Sequence, residues 1–279
     1  VLPLGSRFVH IDYRGVEVQP ISRLLLNMDN RQVLWGAVSR AVRTPSRAER
    51  DSRLDVTVLP PDFLYPGSPP VINSAFGNKD LDSEELIAYE LGYRLQLTKN
   101  FSADAALFYH DYDSLVSAAP STPFAENAPP PPHLVIPYPV DNEEEGETYG
   151  LELTGKWQTY SWWQLSAAYT FTKSQIPKIN LTGVYPEHQF MLRSLMNVTS
   201  ELEIDIMARY VDELENSGID DYTTLDVRAG WRPGENLEIS LLGRQVLDNR
   251  QPQFASERFL GILPTELEHE ILCQVKYRF

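Results

Sequence analysis

Cysteine is nearly absent. Cys273 stands alone among 279 residues, so neither an internal disulfide framework nor a multi-thiolate metal centre can form. Long apolar runs are missing too. Nothing approaches the roughly 18 consecutive apolar residues of a transmembrane helix, and no secretory leader pattern is visible. The opening, VLPLGSRFVHIDYRG, has no Met and reads as the interior of a longer protein. Basic residues are outnumbered, 24 Lys and Arg against 39 Asp and Glu, for a formal net charge of −15. Such a chain is unsuited to nucleic acid, whose phosphates demand a basic surface. Enzyme signatures are lacking: there is no G-x-S-x-G, H-E-x-x-H, P-loop or G-x-G-x-x-G. The five histidines, His10, His110, His133, His188 and His269, show no metal-ligand spacing. The expectation is a protein that is not an enzyme and carries no metal or cofactor.

What the chain does have is alternation. From Ile271 every second residue is apolar: Ile271, Cys273, Val275, Tyr277, Phe279. Ile87, Tyr89, Leu91, Tyr93 and Leu95 alternate with Ala88, Glu90, Gly92 and Arg94. A period of 3.6 cannot separate these sets, whereas a strand separates them completely. The same pattern fits 149–157, 163–171, 202–210, 225–231 and 237–241, and in weaker form 6–13, 19–28, 32–43, 101–113 and 188–198. That makes about twelve strands of about ten residues each, the length that crosses a bilayer at a tilt. Strands of soluble sandwiches average only about five or six.

The connections support a membrane barrel. Short ones fall at 28–32, 98–100, 158–161, 199–201 and 232–236, and long ones near 44–83, 118–146, 174–187, 214–220 and 248–268. Short and long alternate, as tight periplasmic turns and long extracellular loops do in an outer-membrane barrel. The five tryptophans, Trp35, Trp157, Trp162, Trp163 and Trp231, lie close to the short turns. They read as one aromatic girdle at headgroup level. Tyr109, Tyr149, Tyr169, Tyr210 and Tyr222 fall toward the opposite ends. The expected fold is all-β: an antiparallel transmembrane meander, one domain over 1–279, in contact with outer-membrane lipid. Leu91, Tyr93, Leu153, Ile204 and Leu241 belong on its lipid-facing side, because a slip of one residue would invert every side chain.

Several blocks carry a family resemblance. VLWGAVSRAVRTPSRAERD (33–51), SEELIAYELGYRLQ (83–96), AALFYHDYDSLVS (105–117), ETYGLELTGKW (147–157) and YTTLDVRAGWRPGENLEISLLGRQVLD (222–248) resemble TonB-dependent outer-membrane receptors in order, nearly end to end. The terminal VKYRF is similar to the family's last strand, and Tyr277 and Phe279 to the C-terminal signal of outer-membrane proteins. The resemblance implies a 22-stranded barrel with a plugged lumen, of which this chain would be the C-terminal half. The N-terminal plug and the TonB-binding box have no counterpart in these blocks. At GRQVLD, Gln245 and Val246 stand where the family commonly has an Asn-Leu pair. The implied function is TonB-dependent uptake of a scarce substrate such as a ferric siderophore. The partners are the plug, the other half of the barrel and, through the box, the TonB complex. A self-contained barrel of about twelve strands, acting as a passive pore or adhesin, is the alternative.

Glu90 and Glu152 face inward by alternation, beside Gly92 and Gly150. An ionised carboxylate there needs water or a cation. The family's YELG and GLEL motifs imply that both pair with arginines of the plug, across roughly 10 Å of intervening strand. Arg40, Arg94, Arg193, Arg209, Arg228 and Arg244 mix with Asp205, Asp226, Glu203 and Glu238 on lumen-facing positions, as expected of a polar interior held by charge ladders. Arg40, Arg43, Arg47 and Arg94 are the candidate ligand contacts, in lumen or loop. The proline run at 129–132 reads as polyproline II, and the acidic run at 141–147 as a solvated stretch.

Overall fold

The computed structural model describes residues 1–176, 185–214, 218–247, 250–254 and 265–279. Twelve strands follow one another around a single antiparallel sheet. They are β1 (Leu4–Ile11), β2 (Gly15–Asn27), β3 (Gln32–Arg43), β6 (Glu84–Thr98), β7 (Phe101–Ala118), β9 (His133–Tyr160), β10 (Trp163–Gln175), β11 (His188–Asn197), β12 (Leu202–Val211), β13 (Tyr222–Gly234), β14 (Leu237–Arg244) and β17 (Glu270–Tyr277). Among the described residues β1 pairs only with β2 and β17 only with β14, so the sheet is open and does not close on itself. That disfavours a self-contained twelve-stranded barrel.

Register carries the two faces from strand to strand. Tyr93, Ala105, Leu153, Tyr169, Phe190 and Tyr210 lie in one row, and Ile204, Ala229, Leu241 and Cys273 in another. These rows share a side with Leu91 and Leu107, each about half exposed at 50% and 51%. Water does not tolerate a continuous apolar face of this extent, whereas acyl chains do. The expected lipid-facing residues therefore stand together. The opposite face carries Glu90, Glu152, Arg94, Arg193, Arg228 and Glu238. The buried apolar side chains are few, and Val71, Leu81, Leu115 and Val135 gather at the loop end instead of between the two faces.

The structure corrects the reading of several segments. The long connections are not plain loops. Residues 44–83 hold α1 (Arg47–Asp51), capped by Ser46 and Glu49, then β4 (Arg53–Leu59) and β5 (Val71–Phe76). β5 runs parallel to the start of β9, from Val71 opposite Leu134 to Phe76 opposite Pro139. β8 (Phe124–Glu126) pairs with β9 from the other direction, so the proline run is the turn of a hairpin, not a spacer. The acidic run lies inside β9, where Glu144 opposes Leu115 of β7 and is buried. β1 and β2 are joined at the loop end by three residues, with Gly15 at φ +87°, so the short–long alternation breaks there. A second, two-stranded sheet pairs β15 (Arg250–Phe254) with β16 (Thr265–Glu268). Much of the expected loops 174–187 and 248–268, part of 214–220, and Asp248 of GRQVLD lie outside the described residues.

Two side assignments on β3 are reversed. Trp35 sits opposite Gly92, on the face of Glu90 and Glu152, and leaves the girdle. Arg40 sits opposite Ile87, in the parity of Val38 and Leu91. It lies near the loop end of β3, and its charge is met there by Glu85. Tyr222, opposite Val211, likewise faces inward. Trp157 and Trp231 keep outer positions, and Tyr160, Trp162 and Trp163 stack at the β9–β10 turn with centroids 5.8–6.3 Å apart.

Candidate functional site: the inner face

The inner face is a charge ladder with gaps. Arg94 donates to Asp104 at 2.6 Å, and Arg193 Nε to Asp205 at 2.9 Å. Arg228 and Arg232 share Glu203 and Glu238, and Arg244 donates to Glu270 at 3.0 Å. Each pair joins adjacent strands, so the ladders tie β6 to β7, β11 to β12, β12 through β13 to β14, and β14 to β17. Exposed pairs of this kind each contribute under about 1 kcal/mol. Their value is collective, because they neutralise most of the charge along these strands of the inner wall.

Glu90 and Glu152 stand outside the ladders. Both are exposed on the inner face, and neither has a hydrogen bond or ion pair with another described residue. Glu90 shares a register row with Ala37, Phe108 and Gly150, while Glu152 shares one with Trp35, Gly92 and Ala106. They are thus two strands and two residues apart, roughly 12 Å, slightly more than a purely lateral step gives. Arg23, the inner-face cation of the Glu90 row, is two strands away across Ala37.

The glycines beside the two glutamates have a role the sequence did not reveal. A Cβ on Gly92 would meet the Trp35 ring at 2.1–2.3 Å, and one on Gly150 would meet Phe108 Cζ at 2.5 Å. Each glycine lets an indole or phenyl ring lie flat across the sheet. Phe108 continues into His110, with centroids 5.0 Å apart, and His110 into Tyr112 at 6.3 Å. The surface next to the two carboxylates is therefore aromatic. Alternation alone finds Phe108 inside, but the close approach over glycine appears only once register is known.

The four candidate ligand arginines are placed less favourably. Arg40 Nε donates to Glu85 at 3.0 Å, with Glu17 at 3.8 Å, and Arg43 donates to Glu84 at 2.7 Å and Glu49 at 2.9 Å. Arg94 is held by Asp104. Arg47 opens α1, exposed and with no ion pair among the described residues. The structure does not bring the four together. The loop sheet has its own clamp: Arg53 donates to both oxygens of Glu126, at 2.7 and 2.9 Å, and to Asp55 at 3.2 Å. The Ser74 hydroxyl, 2.6 Å away, and then Arg53 hold Asp55 below the usual carboxylate range; Arg53 does the same for Glu126. At the other end, Tyr277 sits on the outer face opposite Leu237, and Phe279 lies beyond β17, fully exposed. No group of three or more potential metal ligands exists among the described residues.

Comparison with known proteins agrees with this architecture. The iron-regulated outer membrane virulence protein of Vibrio cholerae is 25% identical over 205 residues, 72% of this chain and 30% of that protein. The siderophore receptor PirA of Acinetobacter baumannii superposes with a TM-score of 0.75 at 14% identity, over 100% of this chain and 43% of its own. A variant of the ferric enterobactin receptor PfeA of Pseudomonas aeruginosa gives 0.74 at 17% identity, over 98% and 42%. The chain thus spans less than half the length of these relatives. The family model "TonB dependent receptor-like, beta-barrel" matches residues 2–244. The chain belongs to that family, and its sheet is a segment of an integral outer-membrane barrel.

Proposed function

We propose that this chain forms part of the barrel wall and extracellular loops of a receptor that imports a ferric siderophore or a similar iron complex, driven by TonB. In this reading Glu90 and Glu152 dock a plug domain inside the barrel. The supporting observation is their isolation. Asp104, Glu203, Asp205, Glu238 and Glu270 on the same face are each paired with an arginine, and these two have no such partner among the described residues. Carboxylates that face a lumen beside flat aromatic rings suit guanidinium groups, which pair with carboxylate and stack on rings. Family membership and the names of the relatives support an iron cargo. The wall and loops supply binding and passage, while the force enters through the plug.

The test is made in the full-length receptor. Removing one partner of a desolvated ion pair costs about 3–5 kcal/mol, and of a surface pair under about 1 kcal/mol. Glu90→Ala and Glu152→Ala should each loosen the plug and leave the barrel folded. The readouts are leakage of a large antibiotic through the outer membrane and heat-modifiable mobility of the barrel. Variants as tight as the wild type would show that the two glutamates are ordinary solvated residues.

A further inference from the structure

The loop sheet holds a buried histidine that neither the barrel wall nor plug docking uses. Register places Arg53 and Asp55 of β4, Ser74 of β5, His133 of β9 and Glu126 of β8 on one face of that sheet. His133 is buried there, on a face that also buries Ser74 and Val135. Its Nδ1 lies 2.9 Å from the Pro131 carbonyl oxygen. A carbonyl oxygen can only accept, so the proton of that bond belongs to Nδ1. Nε2, on the other side of the ring, is buried and makes no hydrogen bond with a described residue. Glu126 Oε2 stands 3.5 Å from it.

The two protonation states of the ring meet this setting differently. In the neutral ring, with its proton on Nδ1, Nε2 is a bare acceptor that faces a carboxylate, itself acceptor-only. Two acceptors repel, and a buried polar atom without a partner is costly. In the imidazolium both nitrogens donate, Nδ1 to Pro131 and Nε2 to Glu126. The charge count favours the same state. The charged groups that face the ring are Arg53 and Asp55 from β4 and Glu126 from β8, one guanidinium against two carboxylates. β5 presents Ser74, which does not titrate. One negative charge is left over, and a proton on His133 cancels it.

We propose that His133 is a proton-operated latch between β8 and β9, closed when the ring is protonated and released when it is neutral. Histidine changes charge between about pH 5 and 8. A bond made only by the protonated ring is present on the acid side of that range and lost on the alkaline side. Arg53 keeps its grip on Glu126 in both states, so the hairpin loosens without coming apart. The latch depends on the loop sheet alone and not on the cargo. Hydrogen exchange read by mass spectrometry on the full-length receptor tests it. Segment 124–136 contains no other histidine. After correction for the intrinsic pH dependence of exchange, its amides should exchange about tenfold faster at about pH 8 than at about pH 5.5, the scale of one hydrogen bond to a charged group. β12 and β13, which contain no histidine, should show no such difference. His133→Gln, which cannot titrate, should exchange at one corrected rate at both pH values. Glu126→Gln should do the same, because its amide accepts from a protonated Nε2 and donates to a bare one. Equal wild-type exchange in segment 124–136 at the two pH values overturns the latch, and so does a pH dependence that survives in either variant.

Discussion

Adding one methyl group at Gly150 should damage the barrel more than adding one at Gly92, although both glycines sit under aromatic rings. At Gly92 the nearest atoms to the new Cβ all belong to a side chain, the Trp35 ring at 2.1–2.3 Å. The indole faces an open lumen and can swing away, at the cost of its packing. At Gly150 the new Cβ meets the Phe171 carbonyl oxygen at 2.1 Å as well as Phe108 Cζ at 2.5 Å. The carbonyl belongs to β10, which is paired with β9 from Gln175 down to Trp163, so it cannot move without disturbing the ladder. Overpacking a tight site costs typically about 1–3 kcal/mol. Gly92→Ala belongs at the low end and Gly150→Ala at or above the high end. A cycle separates the causes: Trp35→Ala should rescue most of the loss at Gly92, whereas Phe108→Ala should rescue little at Gly150. The assay is urea unfolding of the refolded barrel, followed by heat-modifiable mobility. Equal costs at the two sites, or full rescue of Gly150→Ala by Phe108→Ala, would refute the argument that backbone contact decides.

The loop sheet should be acid-labile. Asp55 and Glu126 are held below the ordinary carboxylate range, so their contribution is complete above about pH 4, the unfolded value, and is lost as pH falls through the lower folded values. Limited acid proteolysis should therefore open the 60–70 and 127–132 turns below that point and not above it. Arg53→Lys should open the same turns at neutral pH, since an ammonium cannot make the two-pronged contact with Glu126; unchanged cleavage would argue that the clamp is ornamental. Residues 1–279 reconstituted alone should give no TonB-dependent uptake, and energised transport by this segment would contradict a role limited to wall and loops.

The fold was legible because each membrane-crossing strand has to separate two solvents. Leu91 and Glu90 cannot exchange places without putting a carboxylate in lipid, so period-two alternation located all twelve strands of the meander. The carboxylates Glu90 and Glu152 were legible for the same reason. The loop sheet was not. β4 and β5 are only seven and six residues long, with prolines in the turn between them, and the pairing of β5 with β9 is a long-range contact that leaves no local pattern. Arg209, which has no carboxylate partner among the described residues, was hidden in a mixture of charges. Only pairing distances separate a spent arginine from a free one.

β3 shows where alternation fails and how to check it. Val33, Leu34, Trp35, Gly36, Ala37 and Val38 are apolar without interruption, so both parities look equally lipid-compatible. The charge at Arg40 suggests that the even positions face inward, but Arg40 lies near the loop end, where a charge says nothing about side. Register with β6 decides it: Gly36 is opposite Leu91, and Trp35 is opposite Gly92. Trp35 therefore lies across Gly92 inside the barrel, while Trp157 and Trp231, both 48% exposed, face lipid. Acyl chains brominated along their length quench only indoles in contact with lipid. In the reconstituted full-length receptor, Trp231→Phe should remove a quenchable part of the emission. Trp35→Phe should lower the total emission without reducing the part that bromine quenches. If the two variants lose equal quenchable emission, Trp35 touches lipid and the register between β3 and β6 is shifted by one residue.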